Sequence, residues 1–188
     1  MTGIGHNGGP PMAPGRGFRT HAWRQARAAL LPKLPIEVVR VRLARARALG
    51  LDYPTYAGIR ATTGRDLVAF LYSANALGMA RPADAPAPEA AARAAASAAA
   101  ALLAAPPPLD PARAAGRCAA AGLAIERAGR APVLADGPRR TAALLGALAD
   151  GLPRDAVLVV GAAPPEAGWV AAGRFAGYVP AERWAAMG

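Results

Sequence analysis

The spacing of apolar and polar positions predicts a helix that begins at Pro35 and ends near Leu49. Apolar residues recur every three or four positions along this segment, and arginines lie on both sides of the apolar stripe. The stripe consists of Ile36, Val39, Leu43 and Ala46, and the flanking arginines are Arg40, Arg42, Arg45 and Arg47. Pro35 suits a first helical turn and Gly50 suits a helix end. We therefore expect an amphipathic helix edged by guanidinium groups.

Three further helices are predicted in the first 81 residues. One covers residues 21–31 before Pro32, a second follows Pro54, and a third covers residues 65–77 after a start that resembles a capping box. Residues 67–72 are apolar on all sides of that last helix. Such a helix is buried either against its neighbours or against another chain, and in the second case it would be the contact surface of a homodimer.

The remainder of the chain predicts a small α/β domain. Residues 82–109 are rich in alanine and proline and read as a linker. Beyond them, helices are predicted at 111–122, 137–149 and 165–172, and short strands at 132–136, 155–161 and 177–180. A strand, a helix and a second strand in this order favour parallel pairing. The predicted layout is a tail (1–15), a basic helical module (16–81), the linker (82–109) and a mixed α/β domain (110–188) with two or three parallel strands.

Positive charge is concentrated in the first part of the chain. Residues 1–81 contain twelve arginine or lysine residues and three acids, a balance of +9 (12 − 3) out of a total of +10. This asymmetry favours an acidic partner for the first part, either a protein or a nucleic acid. The alternative is an arginine-rich surface in contact with solvent alone.

Aromatic residues alternate with arginines in residues 16–27, a composition that suits stacking on bases and neutralising phosphates. The expected binding residues are Arg16, Phe18, Arg19, Trp23, Arg24 and Arg27, together with Arg40, Arg42, Arg45 and Arg47. An anionic membrane surface, an acidic protein, or an ordinary helix with Trp23 in the core would use the same residues.

The residue inventory speaks against common catalytic chemistry. The chain has two histidines, two serines and one cysteine, which leaves little for a catalytic triad or a histidine-rich metal site. We expect no catalytic residue, no cofactor and no metal. Cys118 lies in an alanine-rich helix, where a buried apolar role is expected.

An anion site is nevertheless expected where strands end and the next helix begins. The candidate residues are Asp136, Gly137, Arg139, Arg140 and Gly161. Residues 151–180 also resemble the distal part of haloacid-dehalogenase-like phosphatases, in which a strand ends in Gly-Asp and an acid follows. Here Ala162 follows Gly161, and no DxDxT motif occurs in the chain. The resemblance therefore implies a degenerate phosphate- or nucleotide-binding domain.

Together these features predict a non-enzymatic, cytoplasmic accessory or regulatory protein whose basic module binds an acidic partner. A sequence-independent nucleic-acid-binding protein and the degenerate α/β domain are the alternatives. A single cysteine permits no internal disulfide, and no apolar run is long enough to span a bilayer.

Overall fold

The computed structural model of the chain describes residues 35–187. The chain divides into two units, Met1–Val39 and Arg40–Gly188. The structure describes the second unit up to Met187 and, of the first unit, only residues 35–39.

The core is a five-stranded parallel sheet. Its strands are β1 (Ala69–Ser73), β2 (Ala100–Ala105), β3 (Arg127–Arg130), β4 (Val157–Gly161) and β5 (Gly177–Pro180). They lie in the order β3-β2-β1-β4-β5, and every neighbouring pair is parallel. This is the order of the first five strands of the doubly wound α/β fold. The mixed α/β class and the parallel pairing predicted from the sequence are confirmed.

Seven α-helices are described in residues 35–187. They are α1 (Ile36–Ala48), α2 (Tyr53–Thr63), α3 (Pro88–Ala95), α4 (Pro111–Ala120), α5 (Pro138–Leu148), α6 (Trp169–Gly173) and α7 (Ala181–Ala186). Short 3-10 helices occupy Asn75–Leu77, Arg154–Ala156 and Pro164–Gly168. Asp52 and Asp110 cap α2 and α4, because each carboxylate accepts a hydrogen bond from a backbone amide of the first turn.

The two faces of the sheet carry separate apolar layers. Phe70 and Tyr72 of β1 point toward the layer that includes residues of α1, α2, α3, α4 and α7. Leu71 points to the opposite layer, which includes residues of α5 and α6. All five residues of β1 and all five of β4 are buried. Central parallel strands are covered on both faces, which explains why these segments are almost entirely apolar, with Ser73 as the polar residue at the end of β1.

Strand β1 corrects the predicted helix at 65–77. Residues 69–73 are the central strand, paired with β2 on one side and β4 on the other. Phe70, Leu71 and Tyr72 are at most 1% exposed, so this segment offers no surface to a second chain. A segment that is apolar on all sides fits a central strand as well as a buried helix, and sheet pairing decided between them.

The predicted number of strands and the predicted layout also differ from the structure. Residues 82–109, expected to be a linker, contain α3 and strand β2. A strand occupies residues 127–130, and residues 132–136 form a loop. The strands expected at 155–161 and 177–180 are present as β4 and β5. The helix expected at 21–31 lies outside the described residues.

Candidate functional site

The carboxyl ends of β1 and β4 lie side by side at the centre of the sheet. From β1 the chain continues to β2 and β3 on one side, and it then returns to β4 and β5 on the other side. Doubly wound domains bind ligands in the crevice beside this point. In this chain the side chain of Glu166, only 4% exposed, lies there. Its Oε2 accepts hydrogen bonds from Ser73 Oγ at 2.8 Å, from the Ala162 amide at 2.7 Å and from the Ala163 amide at 3.0 Å. Its Oε1 accepts one from Asn75 Nδ2 at 2.9 Å.

Close packing around Gly161 seals the same crevice. A methyl group added at Gly161 would lie 2.6 Å from Glu166 Oε2 and 2.7 Å from Tyr178 Cε2. The Tyr178 hydroxyl donates a hydrogen bond of 3.0 Å to the Gly161 carbonyl oxygen. Burial raises the pKa of Tyr178, with a further contribution from the charge of Glu166. The chain's own groups therefore fill the position that a ligand occupies in related architectures.

The Ser73 hydroxyl is fully engaged as well. Ser73 is 0% exposed, donates to Glu166 and accepts a hydrogen bond of 3.1 Å from the Ala76 amide. A serine held in this way links the end of β1 to the loop after β4. The cluster therefore connects the ends of β1 and β4, which are far apart in the chain, and so has a structural role.

The expected anion site at the end of β3 already contains its anion, the carboxylate of Asp136. Arg130 Nη2 lies 3.2 Å from Asp136 Oδ2, and Arg140 Nε lies 2.9 Å from Asp136 Oδ1. The Val133 amide donates to Asp136 Oδ2 at 2.9 Å. The hydrogen bond from Val133 lowers the pKa of Asp136, and the guanidinium groups of Arg130 and Arg140 lower it further. Both arginines thus form ion pairs within the chain, although the Arg140 side chain is 67% exposed.

The remaining residues of that expected site do not form one cluster. Gly137 is the N-cap of α5, and Arg139 is exposed on its first turn without an ion pair to another described residue. Gly161 ends β4, which β1 and β2 separate from β3. A small cavity of about 210 Å³ does lie beside Asp136, and Pro165, Gly168 and Trp169 from the loop after β4 contribute to its lining.

Helix α1 places its arginines in two different environments. Arg45 is paired, because its Nε lies 2.8 Å from Asp66 Oδ2 and its Nη2 donates to the Leu67 carbonyl oxygen at 2.9 Å. Arg40 and Arg47 are exposed and Arg42 is half-buried. None of these three forms an ion pair with another described residue. The aromatic and basic candidates at 16–27 lie outside the described residues.

A pocket between the loop after β1 and the beginning of α4 was not predicted from the sequence. It has a volume of about 300 Å³ and is lined by Pro82, Ala83, Pro108, Asp110, Arg113 and Arg117. The two arginines are one helical turn apart, which places them on one face of α4. That spacing, directly after the capping Asp110, is the sequence signal that could have indicated this pocket.

The described residues show no site of another familiar kind. No group of three metal-ligating side chains occurs within residues 35–187. Cys118 is 0% exposed, and burial raises the pKa of its thiol. None of the helices in this part of the chain is long and apolar enough to cross a membrane.

Comparison of the chain with protein-family models, with curated proteins and with solved structures finds no match. The function of the chain must therefore be inferred from its fold and from the contacts of its side chains.

Proposed function

We propose that this chain is a non-enzymatic, cytoplasmic accessory or regulatory protein, and that the arginines of α1 bind an acidic protein partner. The proposal rests on one observation: Arg40, Arg42 and Arg47 form no ion pair with any other described residue. Unpaired guanidinium groups on one helix are suited to carboxylates of another molecule.

The basic part of the chain has few carboxylates with which to neutralise itself. Residues 1–34 contain five basic residues and no aspartate or glutamate. Residues 35–81 contain two aspartates, and each is paired with an arginine. Asp66 lies 2.8 Å from Arg45, and Asp52 lies 3.7 Å from Arg183. The only other acid there is Glu37. Residues 1–81 therefore keep a formal excess of nine positive charges, which favours binding of an external anion, although Arg65 pairs with Asp155 outside this segment.

An exposed apolar side chain on α1 also suits a protein partner. Val41 is 69% exposed and lies in the chain directly after Arg40, so apolar and cationic groups occur on the same helix. Protein interfaces combine apolar contact with charge complementarity. A carboxylate-bearing helix or loop with apolar side chains between its acids would match both.

The crevice at the carboxyl ends of β1 and β4 supports a role without catalysis. Glu166 fills it and receives four hydrogen bonds from the protein itself. A substrate at that position would have to displace these contacts.

The proposal is tested by fluorescence anisotropy with the full chain and a labelled acidic peptide, a polyglutamate of about 20 residues, over about 50 to 300 mM salt. The variant is Arg40→Glu/Arg47→Glu. The matched control is Arg139→Glu/Arg174→Glu, which reverses two exposed arginines elsewhere and changes the net charge equally. We expect the first pair to weaken binding by on the order of tenfold and the control pair to have little effect.

Labelled single- and double-stranded nucleic acids of random sequence are measured in parallel. Binding of nucleic acid without binding of the acidic peptide would replace the proposal by its nucleic-acid alternative, with affinity that falls steeply as salt rises. Equal losses in the two double variants would show that net charge alone acts, and the α1 surface would be rejected.

A further inference from the structure

We propose that the pocket between the loop after β1 and helix α4 binds the phosphate group of a small phosphate monoester. This inference is independent of the proposed partner binding, because the arginines concerned lie on α4 and not on α1. The pocket measures about 300 Å³, and Arg113 and Arg117 line it together with Pro82 and Pro108.

The position of the pocket suits a ligand. Its lining comes from the loop that follows β1 and from the loop and helix that follow β2. Both loops leave the carboxyl ends of neighbouring parallel strands. Ligands of open α/β sheets bind outside these ends. The pocket is a second position at this edge of the sheet where a ligand could bind, since the crevice between β1 and β4 is filled by Glu166.

The guanidinium groups of the pocket remain available. Within residues 35–187, neither Arg113 nor Arg117 lies in an ion pair. This distinguishes them from Arg130 and Arg140, which both contact Asp136. An arginine pair one turn apart can donate several hydrogen bonds to one tetrahedral oxyanion.

Two carboxylates lie near the arginines, and backbone amides hold both. Asp110 Oδ1 accepts from the Arg113 amide at 2.8 Å. Asp84 Oδ2 accepts from the amides of Ala80 and Arg81 at 3.0 and 2.8 Å. These hydrogen bonds lower the pKa of Asp84, and the charges of Arg81 and Arg117 lower it further. Arg81, Arg113 and Arg117 carry three positive charges against the two negative charges of Asp84 and Asp110, so the surroundings of the pocket have a net positive charge.

The size and lining of the pocket define the class of ligand. Its volume is near the lower limit of small-molecule sites, which is about 300 Å³. Pro82 and Pro108 supply rigid apolar surface beside the arginines. A phosphate with a small organic group would contact both kinds of surface, whereas a dinucleotide would exceed the volume.

The test is isothermal titration calorimetry of the full chain with phenyl phosphate, inorganic phosphate and benzoate. We expect phenyl phosphate to bind most tightly, because its phosphate contacts the arginines and its ring contacts the prolines. Arg113→Gln and Arg117→Gln should each weaken its binding by on the order of tenfold. Arg174→Gln removes an exposed arginine outside the pocket and should change nothing.

Several results would overturn the inference. Absence of saturable binding of phenyl phosphate up to about 10 mM would reject the site. Equal affinity for inorganic phosphate would assign the pocket to the free ion, and equal affinity for benzoate would reject phosphate selectivity. Circular dichroism checks that each variant is folded. Arg113→Lys and Arg117→Lys retain the charge, so they should retain more affinity than the glutamine variants.

Discussion

Ser73 Oγ donates a hydrogen bond of 2.8 Å to Glu166 Oε2 across 93 positions of the chain. The bond joins the carboxyl end of β1 to the loop after β4, and the same oxygen also accepts the amides of Ala162 and Ala163. One buried carboxylate thus organises the edge of the sheet at which a ligand would otherwise enter. Its removal would leave several donors without an acceptor.

Replacing Glu166 by alanine should therefore destabilise the fold strongly. We expect the free energy of unfolding to fall by about 3 kcal/mol, because buried donors lose their acceptor. Glu126→Ala is the control, since Glu126 is exposed, and it should change the value by less than about 0.5 kcal/mol. Urea unfolding followed by circular dichroism measures both. Equal effects of the two variants would contradict the role given to Glu166.

Two glycine-to-alanine changes should act in opposite directions. Gly161→Ala places a methyl group 2.6 Å from Glu166 Oε2, and we expect a loss of about 1 to 3 kcal/mol from overpacking. Gly58 lies within helix α2 with nothing within 4 Å of an added methyl group. Gly58→Ala should stabilise the protein by about 0.5 to 1 kcal/mol, because alanine favours the helix. Thermal unfolding midpoints compare the two, and a stabilising Gly161→Ala would disprove the close packing.

The Tyr72 hydroxyl is buried and has no hydrogen-bond partner among the described residues. Burial raises the pKa of Tyr72. Tyr72→Phe removes this unsatisfied group and should leave stability unchanged or raise it by up to about 1 kcal/mol. The control is Tyr56→Phe, which removes a 2.9 Å hydrogen bond from the hydroxyl to Asp66 Oδ1. That change should cost about 1 kcal/mol in chemical denaturation. A larger loss for Tyr72→Phe than for Tyr56→Phe would reveal a partner of the Tyr72 hydroxyl.

The ion pairs of Asp136 should make the stability of the fold depend on pH in the acidic range. The pKa of Asp136 is lowered in the folded protein, so its stabilising contribution is complete above the unfolded-state pKa of about 3.9. The contribution is lost as the pH falls through the lower folded-state pKa. Asp136→Asn should thus be less stable than the original protein at pH 7, and the difference should shrink below about pH 4.

Thermal unfolding from neutral to acidic pH measures this difference. Asp150→Asn is the control, because the Asp150 side chain is exposed and makes no ion pair with a described residue. A difference between the original protein and Asp136→Asn that stays constant down to pH 2 would contradict the lowered pKa.

Three helices with local signals were predicted well, whereas the start that resembles a capping box before residues 65–77 was misleading, because strand β1 follows it. Pro35 and Gly50 bound α1, Asp110 and Pro111 begin α4, and the turn at Gly137 and Pro138 begins α5. Capping groups and proline act on backbone groups a few residues away, so their effect can be read from the chain itself. Strand β4 was predicted for a related reason, since its four apolar residues, 157–160, lie between turn residues.

The candidate site was predicted less well. Asp136 and Arg140 are one helical turn apart, and they do contact each other. Arg130, the last residue of β3, also contacts this carboxylate. The expected anion site is therefore occupied by an ion-pair cluster formed within the chain. Two of the four hydrogen bonds to Glu166 come from Ser73 and Asn75, 93 and 91 positions away in the chain, and no local pattern could reveal these two.

Local sequence patterns were sufficient to predict the mixed α/β class, the positions of α1, α4 and α5, and the uneven distribution of charge. Residues 69–73 and 100–105 are strands because they pair with distant segments in the folded protein. Alanine favours helices in isolation, yet Ala100–Ala105 forms β2 because β1 and β3 satisfy its backbone hydrogen bonds on both sides. Strand order and the filling of the crevice by Glu166 depend on contacts between distant segments, and such contacts exist only once the sheet has formed.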